Sequence, residues 1–225
     1  MSEINEPKFV RLRQAMVKLI VAHTKFCSEE IHKEHLDERV MAAMSTVPRH
    51  EFVPSELQEV AYENMPLPIG YGKTISQPFM VALMTDLLEI SEDDNVLEVG
   101  TGLGYQAAIL AELASKVFTI EIIEELATEA KKRSRKVGYE NIEFRVGDGS
   151  RGWAEHAPYD KIIVTAAPEL IPTALLEQLR VGGRMVIPAG TEEMQQLLLV
   201  IKDQAGKVTT REIIPVLFST LIVSH

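Results

Sequence analysis

Apolar residues recur every three or four positions in the first part of the chain, which predicts amphipathic helices. The first such segment places five apolar side chains on one face, namely Phe9, Leu12, Met16, Leu19 and Ile20. A second helix is predicted over 36–44 and ends near Pro48, because proline has no amide hydrogen to donate. A short third helix is predicted to begin at Ser55.

Residues 63–77 show neither helical nor strand periodicity. Pro66, Pro68, Gly70 and Gly72 predict a loop without regular structure. The apolar residues of the loop predict that it is ordered, since disordered segments are poor in such residues. A long ordered loop in a compact domain is usually functional, so this segment is the first candidate for a binding site.

After Pro78, helical segments alternate with short buried strands. Helices are predicted over 79–88, 106–113, 123–137 and 172–179, and strands over 96–99, 117–120, 142–146, 161–164 and 185–187. Such alternation predicts right-handed crossovers and a parallel sheet with helices on both faces.

The end of the chain changes character. Strands predicted over 197–201 and 208–214 flank Asp203–Gly206, a hairpin signal, and a last strand is predicted over 216–223. The sequence therefore predicts an α/β fold with a doubly wound, mostly parallel sheet and an antiparallel C-terminal edge. Residues 1–78 are expected to supply N-terminal helices and a site loop, packed on a core of 79–225 as one structural unit.

The net negative charge of the chain disfavours nucleic acids and anionic membranes as partners. With 23 Lys and Arg against 33 Asp and Glu, the formal net charge of −10 repels phosphate backbones and anionic lipid. No apolar run approaches the roughly 20 residues that cross a bilayer. Cys27, the single cysteine, forms no intrachain disulfide, and the first residues lack the pattern of a signal peptide. We therefore expect a cytoplasmic protein, with no nucleic acid or membrane partner, that is a monomer or weak homo-oligomer.

Residues 98–105, Glu-Val-Gly-Thr-Gly-Leu-Gly-Tyr, join the first central strand to a helix. Glycines let the backbone turn sharply and approach a ligand closely. A dinucleotide fingerprint requires glycine where Tyr105 stands, and the acidic Glu98 suits a cationic amino group better than a pyrophosphate. S-adenosylmethionine carries such an amino group. The cofactor residues predicted in this loop are Glu98, Gly100, Thr101, Gly102, Gly104 and Tyr105.

Two further acidic positions follow the next strands. Glu121, beside Ile122, ends the second central strand, where a carboxylate accepts hydrogen bonds from ribose hydroxyls. Asp148 and Gly149 follow the third strand, at the expected place of an adenine amino group. Each feature alone also fits a plain turn or a helix-terminal acid. Together they lie at the carboxyl ends of three strands, where open parallel sheets bind ligands.

Two motifs make the chain resemble a known family. The segments Pro66-Leu67-Pro68-Ile69-Gly70-Tyr71-Gly72 and Thr74-Ile75-Ser76-Gln77-Pro78, together with the glycine loop, resemble the protein-L-isoaspartate (D-aspartate) O-methyltransferases. The likeness extends from about Val47 to Gly190 and includes residues 48–54, 157–160 and 182–188.

The resemblance implies transfer of a methyl group from S-adenosylmethionine to the free α-carboxylate of an L-isoaspartyl or D-aspartyl residue in a damaged protein. S-adenosylhomocysteine is the implied product, and the methyl ester then collapses to a succinimide whose hydrolysis restores some aspartate. By the same resemblance Ser76 is the active-site serine, Thr74 and Ile75 line its pocket, and Val216 and Leu217 contact the acceptor. The glycine loop would approach the methionine part, Glu121 and Ile122 the ribose, and Asp148 with Gly149 the adenine.

The implied chemistry requires no general base. A free α-carboxylate has a reference pKa of about 3.3 to 3.7 and is already ionised at neutral pH. Ser76 is therefore expected to position the carboxylate as a hydrogen-bond donor and not to act as a nucleophile. Ser76 also suits the N-cap of the helix predicted after Pro78, and the two roles are compatible.

The segment 216–221 departs from the family pattern. It reads Val-Leu-Phe-Ser-Thr-Leu and lacks the basic residue and the Val-Pro pair usual in the last strand. Two alternatives stay open, a methyltransferase of this fold with another acceptor and a non-catalytic cofactor-binding scaffold.

Other candidate residues predict little chemistry. Cys27, His32 and His35 lack a fourth ligand at zinc-site spacing, so no metal is expected. His50 is expected to make a structural hydrogen bond, and Trp153 to be partly buried scaffold.

Overall fold

The computed structural model describes residues 6–224. The chain starts with three helices, α1 (Glu6–Phe26), α2 (Ser28–Ile31) and α3 (Glu38–Thr46). Asp37 caps α3 by accepting a hydrogen bond of 2.7 Å from the amide of Arg39. The two predicted helices are confirmed, whereas the segment from Ser55 forms a 3₁₀ helix, Ser55–Val60, after another at Arg49–Phe52.

The predicted irregular loop is wrong in part, because it contains a β-hairpin. Strand β1 (Leu67–Gly70) pairs antiparallel with β2 (Lys73–Ile75). Tyr71 and Gly72 form the two-residue turn, both with positive φ, as a tight hairpin requires. A proline is tolerated in β1 because a two-stranded hairpin leaves edge positions where no amide hydrogen is needed.

The rest of the chain forms a seven-stranded sheet flanked by helices. Its elements are α4 (Pro78–Leu88), β3 (Asn95–Val99), α5 (Tyr105–Ala111), β4 (Lys116–Glu121), α6 (Glu124–Val137), β5 (Ile142–Val146), β6 (Tyr159–Val164), α7 (Thr173–Gln178), β7 (Leu179–Gly190), β8 (Gln195–Lys202) and β9 (Val208–Val216). The strand order is β5-β4-β3-β6-β7-β8-β9. The first five strands of this order are parallel, and β8 and β9 add antiparallel pairs, so the predicted fold class is confirmed.

Helix α4 is buried on every side. It contacts β6 and β7 on one side and α1 and α3 on the other. The N-terminal helices therefore extend the core over one sheet face. The opposite face has its own apolar cluster, in which Phe118 meets Trp153 edge-on at 5.8 Å. None of the helices within residues 6–224 has the length and apolar character to cross a membrane.

The prediction of a last strand over 216–223 is wrong. Strand β9 ends at Val216, and residues 217–224, here the C-terminal tail, form no strand. The tail makes one parallel bridge, between Ala167 and Thr220. The amide of Ala167 donates to the Ser219 carbonyl at 2.8 Å, and the amide of Leu221 donates to the Ala167 carbonyl at 2.9 Å.

The order of the strands places a crevice above β3 and β6. Chain connections leave β3 toward β4 on one side, while β6 lies on its other side. Such a reversal point, outside the carboxyl ends of the strands, is where open α/β sheets bind ligands. The hairpin β1–β2 and the C-terminal tail both reach this edge of the sheet, where residues of both line one cavity with the strand ends.

Candidate functional site

The glycine loop after β3 requires glycine at the positions that face the crevice. Gly100, Gly102 and Gly104 all have positive φ, a region that other residues rarely adopt. A Cβ atom on Gly100 would overlap the hydroxyl of Thr165, and one on Gly102 would lie 3.1 Å from Ile69 Cδ1. Gly104 instead occupies the N-cap position before α5 and packs against α6. The first two glycines thus leave a narrow cradle between the loop, the hairpin and the end of β6.

Glu121 fixes the loop from the end of β4. Its Oε2 accepts a hydrogen bond of 2.8 Å from the amide of Gly102, and its Oε1 accepts one of 3.1 Å from the amide of Ile123. The side chain is buried, yet it lines the crevice. Because each carboxylate oxygen can accept a second hydrogen bond, Glu121 is able both to hold the loop and to bind a ligand hydroxyl.

Glu98 lies beneath the loop and has no solvent exposure. The hydroxyl of Thr119 donates to its Oε2, while its Oε1 has no hydrogen-bond partner among the described residues. The Thr101 and Thr119 hydroxyl oxygens are 2.6 Å apart, which connects Glu98 to the loop. Burial raises the pKa of Glu98 to about 8, and the hydrogen bond from Thr119 opposes this rise. An unpaired buried oxygen is costly and points to a missing donor.

Three connected cavities lie around the crevice. The strand-end cavity is lined by Gly102, Glu121, Ile122, Gly149 and the C-terminal tail. The loop cavity is lined by Ile75, Ser76, Gly100, Thr101 and Tyr105. The tail cavity is lined by Ser76, Gln77, Val216 and Leu217. Thr74 and Thr165 line all three and therefore mark their junction.

Ser76 follows β2 and lines both the loop cavity and the tail cavity. Its predicted alternative role as a helix cap is wrong, because α4 has Gln77 at its N-cap position. Asn64 does the capping instead, since its Oδ1 accepts a hydrogen bond of 3.0 Å from the amide of Phe79. Within residues 6–224 no group bonds the hydroxyl of Ser76, which leaves it available to a ligand.

Arg49 supports Ser76 from inside the protein. Its side chain is fully buried, and it donates hydrogen bonds of 2.7 Å to the carbonyl oxygens of Ala61 and Ser76. The guanidinium lies 4.7 Å from the centre of the Tyr105 ring. Burial lowers its pKa to about 10, so it remains charged at neutral pH. Tyr105 is packed in the core against this cation and Phe52, although it also lines the loop cavity.

Of the two residues predicted to meet the adenine, only Gly149 lines one of these cavities. Gly149 lines the strand-end cavity, whereas the Asp148 carboxylate lies behind it. Its Oδ1 accepts hydrogen bonds from the amide and hydroxyl of Ser150, and its Oδ2 from those of Ser224 in the C-terminal tail. Burial raises the pKa of Asp148, but these hydrogen bonds outweigh it and hold the pKa below its ordinary value.

The structure brings most of the predicted site residues together. Among the predicted cofactor residues, Glu98, Gly104 and Asp148 do not line the cavities. Thr165, which sequence analysis missed, follows β6 at the same sheet edge as Glu121, and its hydroxyl donates to the Gly100 carbonyl at 2.6 Å. The rule that selected Glu121 applies to it equally.

The histidines and the cysteine have no role at this site. Cys27, His32 and His35 form no metal cluster, and the part of the chain from 6 to 224 contains no group of three or more His, Cys, Asp or Glu suited to a metal ion. His50 stacks on Phe9 at 3.8 Å, and its Nδ1 lies 2.8 Å from the hydroxyl of Tyr62. It is therefore a structural residue.

A family model for protein-L-isoaspartate(D-aspartate) O-methyltransferase matches residues 22–225. The chain belongs to this family. A relative named protein-L-isoaspartate O-methyltransferase 1, from Polaromonas sp., is 58% identical over 97% of this chain and 92% of its own length. The corresponding enzyme 2 of Syntrophobacter fumaroxidans is 56% identical over 95% of this chain and 87% of its own length.

Solved structures agree with this family membership. A protein-L-isoaspartate O-methyltransferase superposes on 92% of this chain with a TM-score of 0.79 and 26% identity, and the chain spans 65% of that longer protein. A putative protein-L-isoaspartate O-methyltransferase from Plasmodium falciparum, in complex with S-adenosyl-L-homocysteine, has a TM-score of 0.75 at 21% identity. It covers 91% of this chain and 97% of its own length, and at this identity it supports the fold.

Proposed function

We propose that this protein transfers the methyl group of S-adenosylmethionine to the free α-carboxylate of L-isoaspartyl residues, and of D-aspartyl residues, in damaged proteins. The methyl ester then forms a succinimide, and hydrolysis of the succinimide restores part of the aspartate. The observation that carries the proposal is the meeting of the three cavities at Thr74 and Thr165. The strand-end cavity, which Glu121 lines and which would hold a nucleoside, thereby adjoins the two cavities that Ser76 lines.

The residues present fit S-adenosylmethionine. A Cβ atom at Gly100 would overlap the Thr165 hydroxyl, so glycine lets the loop pack closely on the end of β6, and Gly100 and Gly102 present backbone to the strand-end cavity. Glu98 lies beneath the same loop but lines none of the three cavities, and its raised pKa keeps it protonated at neutral pH, so it supports the loop through Thr119 and Thr101. Glu121 would accept the ribose hydroxyls, Gly149 would face the adenine with Asp148 holding the C-terminal tail behind it, and the glycine loop would hold the methionine part. When bound, the cofactor supplies a methyl group on a sulfonium sulfur.

The protein's own contribution is alignment. The acceptor carboxylate is ionised at neutral pH, so no side chain has to remove a proton. Ser76 donates a hydrogen bond to one carboxylate oxygen and leaves the other free to attack. Arg49 holds the Ser76 carbonyl at 2.7 Å and thereby fixes the position of the hydroxyl-bearing residue. Holding two reactants in near-attack geometry contributes roughly 7 to 11 kcal/mol in favourable cases.

Exclusion of water supports the same reaction. The hairpin and the C-terminal tail both line the strand-end cavity and form its cover. Methyl transfer from a sulfonium to a carboxylate cancels two opposite charges, so an environment with little water favours the transition state over the separated ions. The proposed setting is the cytoplasm, with protein and peptide acceptors and without nucleic acid or membrane.

A second acceptor class is a candidate because of the C-terminal tail. The segment after Val216 is irregular and carries no cation, in contrast to the family pattern of the last strand. Such a departure beside the tail cavity favours testing small-molecule carboxylates as acceptors, in parallel with peptides.

Paired peptides that differ only in an isoaspartyl or an aspartyl residue test the proposal. Labelled S-adenosylmethionine should methylate the isoaspartyl peptide alone. Equal labelling of both peptides would contradict isoaspartyl specificity. Binding of S-adenosylhomocysteine without labelling of any acceptor would favour a non-catalytic scaffold, and labelling of small carboxylates alone would favour the second acceptor class.

A further inference from the structure

Lys73 holds an isolated positive charge at the mouth of the site. It belongs to β2, immediately before Thr74, and its half-buried side chain lines the strand-end cavity. Its ammonium donates a hydrogen bond of 3.3 Å to the carbonyl oxygen of Thr220 in the C-terminal tail. Among the described residues that line the three cavities, Lys73 is the only Lys or Arg.

The charge of Lys73 is not neutralised by the protein. Six other lysines lie within 4.0 Å of a carboxylate, namely Lys8, Lys33, Lys116, Lys132, Lys136 and Lys161. Within residues 6–224 no carboxylate lies that close to Lys73. Glu121 lines the same cavity, but its two oxygens hold the amides of Gly102 and Ile123. Glu192 accepts a hydrogen bond of 3.4 Å from the Thr220 hydroxyl, so the acid of the tail side is engaged by the tail itself.

Lys73 supplies a cation that this part of the C-terminal tail lacks. Residues 216–221 contain no Lys, Arg or His. The ammonium of Lys73 lies against this same segment, at Thr220, but it is supplied by the hairpin. The net charge of −10 disfavours the approach of an anionic acceptor, and a local cation at the mouth opposes that repulsion.

The reacting carboxylate is not the partner of this ammonium. Ser76, which would hold that carboxylate, lines the loop cavity and the tail cavity, while Lys73 lines the strand-end cavity. An ion pair with the attacking oxygen would also withdraw the electron pair that the reaction uses. Thr74, the next residue, lines all three cavities, so Lys73 lies beside the junction that joins the strand-end cavity to the cavities around Ser76. From there its ammonium is placed to meet a second anionic group on the acceptor, one that remains at the mouth while the damaged residue enters.

We propose that Lys73 is a specificity-determining residue that recognises this second negative charge. The protein then favours isoaspartyl peptides that carry an acidic side chain next to the damaged residue. This inference rests on the proposed function, since it concerns the acceptor of the same site.

Two isoaspartyl peptides that differ only in Glu or Gln beside the isoaspartyl residue test it, with the Glu placed on either side in turn. For the unmodified protein we expect kcat/KM to be about threefold to fivefold higher with one of the Glu peptides, as suits a partly exposed ion pair. The preference should shrink at high ionic strength. Lys73→Gln should abolish the preference through KM, Lys73→Arg should retain it, and Lys73→Glu should reverse it.

A matched charge control separates local recognition from net charge. Lys207 is exposed in the turn between β8 and β9, and Lys207→Gln should leave the preference unchanged. Because Lys73 lines the strand-end cavity, calorimetry with S-adenosylhomocysteine measures separately any effect of Lys73→Gln on cofactor binding. Equal kcat/KM for the Glu and Gln peptides, or a preference that survives in Lys73→Gln, would overturn the inference. Weaker S-adenosylhomocysteine binding without a change in the preference would overturn it as well.

A failure of the proposed function gives a different result from a failure of the inference about Lys73. In that case no isoaspartyl peptide of either kind is labelled by the unmodified protein. Labelling of both peptides at the same rate, by contrast, removes only the role of Lys73.

Discussion

The guanidinium of Arg49 donates a hydrogen bond of 2.7 Å to the carbonyl oxygen of Ser76, 27 residues further along the chain. The same cation holds the Ala61 carbonyl and lies over the Tyr105 ring, so one buried side chain joins a 3₁₀ helix, the hairpin and the glycine-loop helix. The position of Ser76 thus depends on a residue that lines none of the three cavities described above.

Arg49→Met should lower both stability and kcat. It leaves two carbonyl oxygens without donors, which we expect to cost about 2 to 4 kcal/mol of unfolding free energy in urea titration. Because Ser76 loses the hydrogen bond that fixes its backbone, we expect the variant to lose more in kcat than in affinity for S-adenosylhomocysteine.

Arg133→Met is the matched control for Arg49. Arg133 also donates to two carbonyl oxygens, those of Glu51 at 2.7 Å and Val53 at 2.9 Å, but it does not contact Ser76. We expect it to lower stability while kcat, measured with the folded protein, stays near that of the unmodified chain. The same kcat loss in both variants would mean that Arg49 acts on stability alone.

Ser76→Ala should lower kcat by about tenfold to a hundredfold, as expected for loss of a hydrogen bond to a charged group. Stability and S-adenosylhomocysteine affinity should be unchanged, because the hydroxyl caps no helix. Asn64→Ala gives the opposite pattern, since it removes the observed cap of α4 and should cost about 1 kcal/mol of stability. Destabilisation by Ser76→Ala as large as that of Asn64→Ala would speak against the donor role.

Glu121→Gln should weaken S-adenosylhomocysteine binding by tenfold or more in calorimetry, about 1.4 kcal/mol at least. The NH2 group of the new side chain cannot accept a hydrogen bond, so the amide of either Gly102 or Ile123 would lose its partner. The site would lose the negative charge as well. Glu125, exposed in the first turn of α6, provides the control, because Glu125→Gln should leave the affinity intact. Equal affinities of the two variants would exclude Glu121 from the cofactor site.

The unfolding free energy should fall as the pH rises from about 4.5 to about 8, because burial raises the pKa of Glu98 from 4.5 to about 8. Over this interval the unfolded chain has released the proton that the folded chain retains. Each further rise in pH therefore favours the unfolded state, and the contribution of Glu98 to stability is largest below about pH 4.5.

Glu98→Gln should flatten this part of the pH profile, since the amide oxygen still accepts from Thr119 and nothing titrates. Urea titrations of both proteins across this range give the comparison. A profile of the variant as steep as that of the unmodified protein would assign the slope to another group.

The elements that sequence analysis predicted correctly are those whose pattern is local. Strand β5 appears at the predicted bounds, because its apolar residues and its flanking turns lie within a few positions of each other. The site residues at strand ends were predictable for the same reason, since the end of a strand is visible in the pattern and fold topology gathers the ends at one edge.

What the sequence did not reveal depends on distant partners. Residues 216–223 have the composition of a strand, yet the neighbouring edge of the sheet offers the tail a single bridge at Ala167. Ser76 precedes a helix as a cap would, but Asn64 reaches that helix from 15 positions before Phe79. Lys73 and Thr220 are 147 residues apart in sequence and in contact in space. No periodicity encodes such pairings.

The irregular cover over the nucleoside side of the site has a consequence for turnover. Residues 217–224 are held by one bridge, a few hydrogen bonds and the packing of Phe218 and Leu221, none of which belongs to a strand pairing of the seven-stranded sheet. We expect exchange of spent for fresh cofactor to cost only these contacts, while the framework that orients the reacting groups stays assembled between cycles.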